Sequence, residues 1–140
     1  KRSVLVGGCF DLFHYGHHHF LSHAKQHGDT LIVLLESDTF IEKVKSKNLV
    51  HTQTQRAEIL AALTYVDFIV LLPVMHDPNK EYQQIVHDIH PKVIAYSIGD
   101  KAFEKKKAIA ETIGAKLIEI NYLATFSSSQ LITYATILGD

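Results

Sequence analysis

A run of eleven residues near the start, GGCFDLFHYGH at positions 7–17, constrains this chain more than any other stretch. It follows an apolar run at 4–6 and precedes a helical pattern, so it predicts a turn from a first strand into a first helix. Such a turn gathers backbone N–H groups at the positive end of a helix dipole, which favours a bound phosphate. His14 and His17 are three residues apart on the first turn of that helix. At this spacing both rings project from one face and can donate to the same anion.

Composition limits the class of protein. The 140 residues suffice for a proper core, and we expect a single domain over residues 1–140. The net charge of −1 argues against nucleic acid or an anionic membrane as the main partner. Cys9 is the only cysteine, which excludes an internal disulfide and fits a reducing compartment. With no apolar run of membrane length and no signal peptide at the N-terminus, the sequence predicts a cytoplasmic protein.

Short apolar runs alternate with helical patterns along the chain. Strands are predicted at residues 3–6, 30–35, 66–72, 92–96 and 116–120. Helices are predicted at 16–27, 54–64, 81–89, 101–113 and 127–138, with irregular segments at 43–48 and 74–80. Several strands are apolar at nearly every position, which is typical of a parallel sheet covered on both faces. The pattern predicts an α/β, Rossmann-like, doubly wound parallel sheet of five strands with helices on both faces, which binds ligands beyond the carboxyl ends of its strands.

The four residues HYGH at 14–17 resemble the HxGH motif of the nucleotidyltransferase superfamily that includes the cytidylyltransferases. The wider string at 10–17 is similar to the branch acting on glycerol phosphate, choline phosphate and ethanolamine phosphate, and also to the adenylyltransferase domain that makes ADP-heptose. The resemblance implies transfer of a nucleotidyl group from CTP or ATP, accompanied by Mg²⁺, to a small phosphorylated acceptor with release of pyrophosphate. It also implies a homodimer.

The resemblance assigns residues to three groups. The catalytic residues that it implies are His14, His17 and Lys45. Groups that would bind the nucleotide are Gly8, Cys9, Phe10, Arg56, Gly99, Asp100, Ser127, Ser128 and Ser129. Those that would contact the acceptor are Asp11 and Lys43. In this reaction the protein gathers phosphates and neutralises the charge that builds on the bridging oxygen, a task that suits imidazoles, lysines and free backbone N–H groups.

Several of these residues have a second interpretation. Asp11 lies near the acceptor, caps the helix that follows, or does both. Lys43 and Lys45 follow the second predicted strand, and the alternative to a phosphate contact is a solvated basic loop. Cys9 stands where these enzymes often carry threonine, and it is either an inert small side chain or a reactive thiol.

Histidines four residues apart on the first predicted helix raise the possibility of a metal site. The pairs are His14 with His18, His19 with His23, and His23 with His27. No cysteine or carboxylate cluster in the sequence completes a tetrahedral site, so no metal-binding residue is predicted.

Two departures from the resemblance bear on the nucleotide. Cytidylyltransferases of the glycerol-phosphate type carry one arginine where this chain has Thr64 and another near Tyr122. The ADP-heptose branch lacks both, and its alanine-rich helix is similar to AALTYVD at 61–67. We expect CTP by a narrow margin, with ATP-dependent transfer to a sugar phosphate or an FMN-like acceptor as the alternative. A non-catalytic nucleotide-binding module is the rival from another class.

Overall fold

The computed structural model describes residues 1–46 and 48–121, in which strands and helices alternate. The strands are β1 (Ser3–Gly8), β2 (Thr30–Leu35), β3 (Phe68–Leu71), β4 (Val93–Ser97) and β5 (Lys116–Ile120). The helices are α1 (Tyr15–Lys25), α2 (Asp38–Lys43), α3 (Gln53–Ala61), α4 (Pro78–Ile89) and α5 (Phe103–Ile113). None of these helices has the length and hydrophobicity needed to cross a bilayer.

The five strands form one parallel sheet in the order β3-β2-β1-β4-β5. The chain moves outward from β1 to β3, then crosses to the other side of β1 and continues to β5. Helices α1 and α3 pack on one face of the sheet, and α4 and α5 pack on the other. The predicted doubly wound α/β fold with helices on both faces is confirmed.

Alternating side chains of the strands divide the core into two apolar layers. On β1, Val4 and Val6 pack with Phe20 and Leu21 of α1, whereas Leu5 belongs to the layer beneath α4 and α5. All five are 7% exposed or less, so both faces of the sheet are removed from water. This double coverage explains why the strands are apolar at nearly every position.

Two helix starts differ from those expected. Residues 38–43 form a helix, α2, that was not predicted. The Ser37 side chain caps its start by accepting from the Phe40 N–H. Helix α4 begins at Pro78 with Asp77 as its N-cap, three residues before the predicted start. The predicted helix at 127–138 lies outside the described residues.

The sheet opens between β1 and β4, where the strand order reverses. β1 pairs with β2 as far as Gly8 and Leu35, and β4 pairs with β5 as far as Ser97. β1 and β4 pair with each other only at Val4 with Val93 and at Leu5 with Ile94. Their carboxyl ends therefore separate, which is where doubly wound sheets bind ligands.

Candidate active site

The turn from β1 to α1 has a bent backbone. Phe10 and Leu12 both have φ of 50°, in the left-handed region that side-chain-bearing residues rarely adopt. Gly7 and Gly8, predicted to lie in this turn, are instead the last two residues of β1. A Cβ on Gly8 would lie 2.8 Å from the Phe10 ring, so the glycine lets that ring fold back against the strand.

His14 and His17 form the two halves of a capping box at the start of α1. His14 is the N-cap, and its Nδ1 accepts a hydrogen bond from the Gly16 N–H at 3.0 Å. His17, at the third helical position, accepts from the His14 N–H through its own Nδ1 at 3.3 Å. Backbone donors at a helix start have no partner within the helix, so these bonds both stabilise α1 and fix the rings.

The capping box also determines which nitrogen of each neutral ring carries the proton. A ring nitrogen that accepts a hydrogen bond has no proton, so both rings carry theirs on Nε2. His14 Nε2 is buried and has no hydrogen-bond partner among the described residues. A buried N–H without a partner costs free energy, which an oxygen of a bound anion would recover. The His14 Nε2–H therefore remains available to a ligand, and we expect the His17 Nε2–H to donate with it.

Burial keeps both imidazoles neutral. Their rings stack with centroids 3.8 Å apart, and Phe10 and Phe13 lie against the His17 ring at 5.3 and 5.4 Å. Burial lowers the pKa of His17 to about 3, with a further contribution from His14 and an opposing one from Asp11. Burial also lowers the pKa of His14. Both rings are therefore neutral before a ligand binds.

Asp11 clamps a distant segment against the turn. Its carboxylate accepts from the backbone N–H groups of Val50 and His51 at 2.6 and 2.8 Å, and from that of Leu12 at 3.1 Å. The interpretation of Asp11 as the helix cap is wrong, because His14 occupies the N-cap position. Since Val50 and His51 lie just before α3, the carboxylate ties the start of that helix to the turn.

Arg56 on α3 also links the start of that helix to the β1–α1 turn. Its side chain is fully buried. The guanidinium donates to four groups at 2.8–3.1 Å, which are the backbone oxygens of Cys9, Glu36 and His51 and the carboxylate of Asp38. The resemblance predicts that Arg56 binds the nucleotide, whereas the structure encloses it among groups of its own chain.

Glu36, which the sequence analysis did not single out, is buried at the carboxyl end of β2. Its N–H donates to the Gly8 carbonyl at 3.0 Å, which keeps it beside the end of β1. Burial raises the pKa of Glu36 to about 7, although Lys45 and Lys106 act in the opposite direction. A charged residue directly after the apolar run at 31–35 is the signal that could have found it.

Asp100 and Lys106 form an ion pair at the carboxyl end of β4. The two charged groups are 2.5 Å apart and both side chains are largely buried. Burial alone would raise the pKa of Asp100, but the hydrogen bond and charge of Lys106, with the Ala102 N–H, lower it below its usual value. Gly99, with φ of 80°, forms the turn that precedes Asp100.

The two lysines expected near the acceptor differ in their surroundings. Lys45 follows the end of α2, and its charge acts to lower the pKa of both Glu36 and Asp100. Lys43 lies in the last turn of α2 and is exposed. The structure therefore brings Lys45 within electrostatic reach of the strand ends.

Comparison with known proteins decides the family. The model of the cytidylyltransferase-like family matches residues 5–132, which is most of the chain. The chain belongs to the cytidylyltransferase-like family. The expectation of a nucleotidyltransferase of this kind is thereby confirmed.

Curated relatives in this family include two kinds of enzyme. The FAD synthase of Thermococcus sibiricus is 36% identical over 126 residues, which cover 87% of this chain and 82% of that protein. The FAD synthase of Thermococcus kodakarensis is 38% identical over 128 residues, with 88% and 82% covered. The bifunctional protein HldE of Campylobacter jejuni subsp. doylei is 32% identical over 133 residues, which cover 94% of this chain but 27% of that protein.

Solved structures share the fold. The lipopolysaccharide core biosynthesis protein of Thermoplasma volcanium has a TM-score of 0.73 at 24% identity, covering 87% of this chain and 98% of that one. TmcAL of Thermotoga maritima, solved with α-thio ATP, has a TM-score of 0.69 at 14% identity, covering 99% and 51%. At these identities the likeness supports the fold of this cytidylyltransferase-like chain.

The individual site residues stay predictions. The structure groups His14, His17, Asp11 and Arg56 around the β1–α1 turn. Gly99 and Asp100 follow β4, on the other side of the opening in the sheet. The three predicted phosphate ligands Ser127, Ser128 and Ser129 lie outside the described residues. The expected homodimer also stays a prediction.

Carboxylates around the opening are engaged with other groups of the chain. Asp11 accepts backbone N–H groups, Asp38 pairs with Arg56, and Asp100 pairs with Lys106. Within residues 1–46 and 48–121, no group of three or more metal-ligating side chains is placed to hold an ion. The expectation that Mg²⁺ accompanies the triphosphate stays a prediction.

Proposed function

We propose that this chain transfers an adenylyl group from MgATP to the phosphate of FMN, forming FAD and pyrophosphate. The observation that carries the nucleotidyl transfer is the stacked His14–His17 pair at the start of α1, which follows the carboxyl end of β1, the strand that separates there from β4. The choice of ATP and FMN is supported by relatives named FAD synthase, which match most of this chain and most of their own length.

In this proposal the chain binds and orients two phosphate groups. A phosphate oxygen of FMN attacks the α-phosphorus of ATP, a new P–O bond forms, and the bond from that phosphorus to the bridging oxygen breaks. Charge grows on the departing pyrophosphate, and the Nε2–H groups of His14 and His17 donate to it. Lys45 supports the α-phosphate and the incoming phosphate, while Mg²⁺ enters with ATP and keeps most of its waters.

The proposal departs from the narrow preference for CTP. The arginines that would help to hold CTP in the glycerol-phosphate branch are replaced at Thr64 and near Tyr122. Relatives named FAD synthase are 36–38% identical to this chain and span it almost completely. Both observations favour an adenine nucleotide.

The test is a matrix of two nucleotides and three acceptors. Wild-type protein is incubated with MgATP or MgCTP and with FMN, a sugar 1-phosphate or glycerol 3-phosphate, and both pyrophosphate and the nucleotide product are measured. FAD and pyrophosphate are expected in equal amounts with ATP and FMN only. If product forms from CTP and glycerol 3-phosphate, or from ATP and the sugar phosphate, then that pair is the substrate pair and the proposal of ATP and FMN is wrong.

A thermal-shift series, read together with the activity matrix, distinguishes the proposed enzyme from a non-catalytic nucleotide-binding module. A ligand at 100 times its Kd adds about 2.7 kcal/mol of stability, so MgATP is expected to raise the melting temperature clearly and MgCTP much less. Binding of MgATP without release of pyrophosphate in the presence of any of the three acceptors would support a nucleotide-binding module.

A further inference from the structure

His51 is held by both of its backbone groups at the edge of the site. Its N–H donates to Asp11 at 2.8 Å, and its carbonyl accepts from Arg56 Nε at 3.1 Å. Asp11 belongs to the β1–α1 turn and Arg56 to α3, so the two bonds fix His51 between these elements. Replacing the His51 side chain leaves both backbone bonds in place.

The His51 ring has a nitrogen without a hydrogen-bond partner. Nδ1 is buried, and no group in the described part of the chain bonds to it. It lies 3.8 Å from Asp11 Oδ1, which is within ion-pair range but too long for a hydrogen bond. Since the side chain is 30% exposed, another part of the ring reaches solvent. A buried polar atom without a partner calls for an explanation, and a ligand that binds the exposed part of the ring is one.

Four other basic residues around the turn are either neutral or already bonded to groups of the chain. His14 and His17 are held neutral by burial. Arg56 bonds to three carbonyls and a carboxylate, and Lys106 pairs with a carboxylate. A reaction between a triphosphate and a phosphomonoester brings together many negative charges, so the site needs further positive charge. In addition to the lysines that follow β2, the His51 ring can donate a hydrogen bond to these phosphates.

We propose that His51 is a third histidine of this site and that its imidazole binds the phosphate group of the acceptor. This inference rests on the proposed function and deepens it. Nδ1 faces the Asp11 carboxylate at 3.8 Å, so Nε2 is the ring nitrogen that donates to a phosphate oxygen. Asp11 then orients His51 instead of touching the acceptor itself, which moves the acceptor contact from Asp11 to His51.

The first experiment compares FMN with riboflavin, which has the same ring system without the phosphate. Flavin fluorescence gives the Kd of each for wild-type protein, for His51→Gln and for the control His23→Gln, whose side chain is exposed on α1. In His51→Gln the Kd for FMN is expected to rise roughly tenfold to a hundredfold, as for loss of a hydrogen bond to a charged group. The Kd for riboflavin, the Kd for MgATP and the melting temperature stay at wild-type values, as they do in His23→Gln. An unchanged Kd for FMN, or equal losses for FMN, riboflavin and MgATP, overturns the assignment.

A second experiment does not depend on the choice of FMN. Protein labelled with ¹⁵N-histidine is titrated with inorganic phosphate, and the ring signals of His51 are identified by their absence in His51→Gln. These signals are expected to move with phosphate concentration, whereas those of His23 stay fixed. A stationary His51 signal rejects the phosphate contact even if FMN binds. A moving signal in a protein that fails to bind FMN keeps His51 and rejects FMN as the acceptor.

Discussion

The His14 N–H donates to His17 Nδ1 at 3.3 Å while the two rings stack with centroids 3.8 Å apart. The same two side chains therefore cap α1 and present the donor pair. Under the proposed function, stability and catalysis are coupled at this point, and a useful variant must separate them.

His17→Gln is expected to do so. Glutamine at the third helical position also completes a capping box, so the melting temperature should stay near that of the wild type. The Nε2–H donor is lost, and kcat is expected to fall by roughly 10²–10⁴-fold because the donor acts on charge that develops in the transition state. His17→Ala should lose both activity and stability, and His23→Ala, exposed further along α1, should lose little of either. Similar activity losses in His17→Gln and His23→Ala would contradict the assignment of His17.

Stability should fall with acid because of His17. Its pKa is about 3 in the folded protein, against an ordinary value of 6.5 for histidine. Below pH 6.5 the unfolded chain binds a proton at this histidine, whereas the folded chain does not bind it until about pH 3. The free energy of unfolding therefore decreases as the pH falls from 6.5 to about 3. In His17→Gln this contribution is absent. Urea unfolding at pH 8, 6, 5 and 4 measures the difference, and parallel curves for the two proteins would contradict it.

Glu36→Gln is expected to stabilise the protein at alkaline pH. The pKa of Glu36 is about 7 in the folded protein, against an ordinary value of 4.5 for glutamate. The wild type therefore loses stability as the pH rises from about 4.5 through 7, because the folded state disfavours the carboxylate. At pH 8 the variant should be more stable by roughly 1–3 kcal/mol, and at pH 4 the two should agree. Equal stability at pH 8 would mean that the nearby lysines already compensate for burial.

Much of the fold could be predicted from the sequence, because burial on both faces of a parallel sheet leaves continuous apolar runs such as LIVLL at 31–35. The site was predictable where its residues are adjacent in sequence, as in HYGH at 14–17. The partners of Asp11 lie 39 and 40 residues away, and Arg56 reaches across 47 residues to Cys9. Contacts of that range follow from the packing of the whole sheet and leave no local pattern.

Lys45→Ala is expected to reduce kcat/KM for both substrates with the melting temperature unchanged. Lys45 is exposed and is within electrostatic reach of the carboxylates at the ends of β2 and β4, so its loss removes positive charge from the site without disturbing packing. Lys107→Ala, exposed on α5, is the matched control. A loss of activity in Lys107→Ala as large as that in Lys45→Ala would point to a general effect of surface charge.

Variants of Arg56 test whether this residue stabilises the fold or contacts the nucleotide directly. Removing the guanidinium in Arg56→Ala leaves three carbonyls and the Asp38 carboxylate without their donor, which is expected to cost about 3–5 kcal/mol of stability. Arg56→Lys should recover little, because one ammonium group cannot reproduce four directed bonds. Both variants should then bind MgATP more weakly through disorder of the β1–α1 turn, and saturating MgATP should restore part of the melting temperature. If either variant keeps its melting temperature but no longer binds MgATP, Arg56 contacts the nucleotide directly, as the sequence resemblance implies.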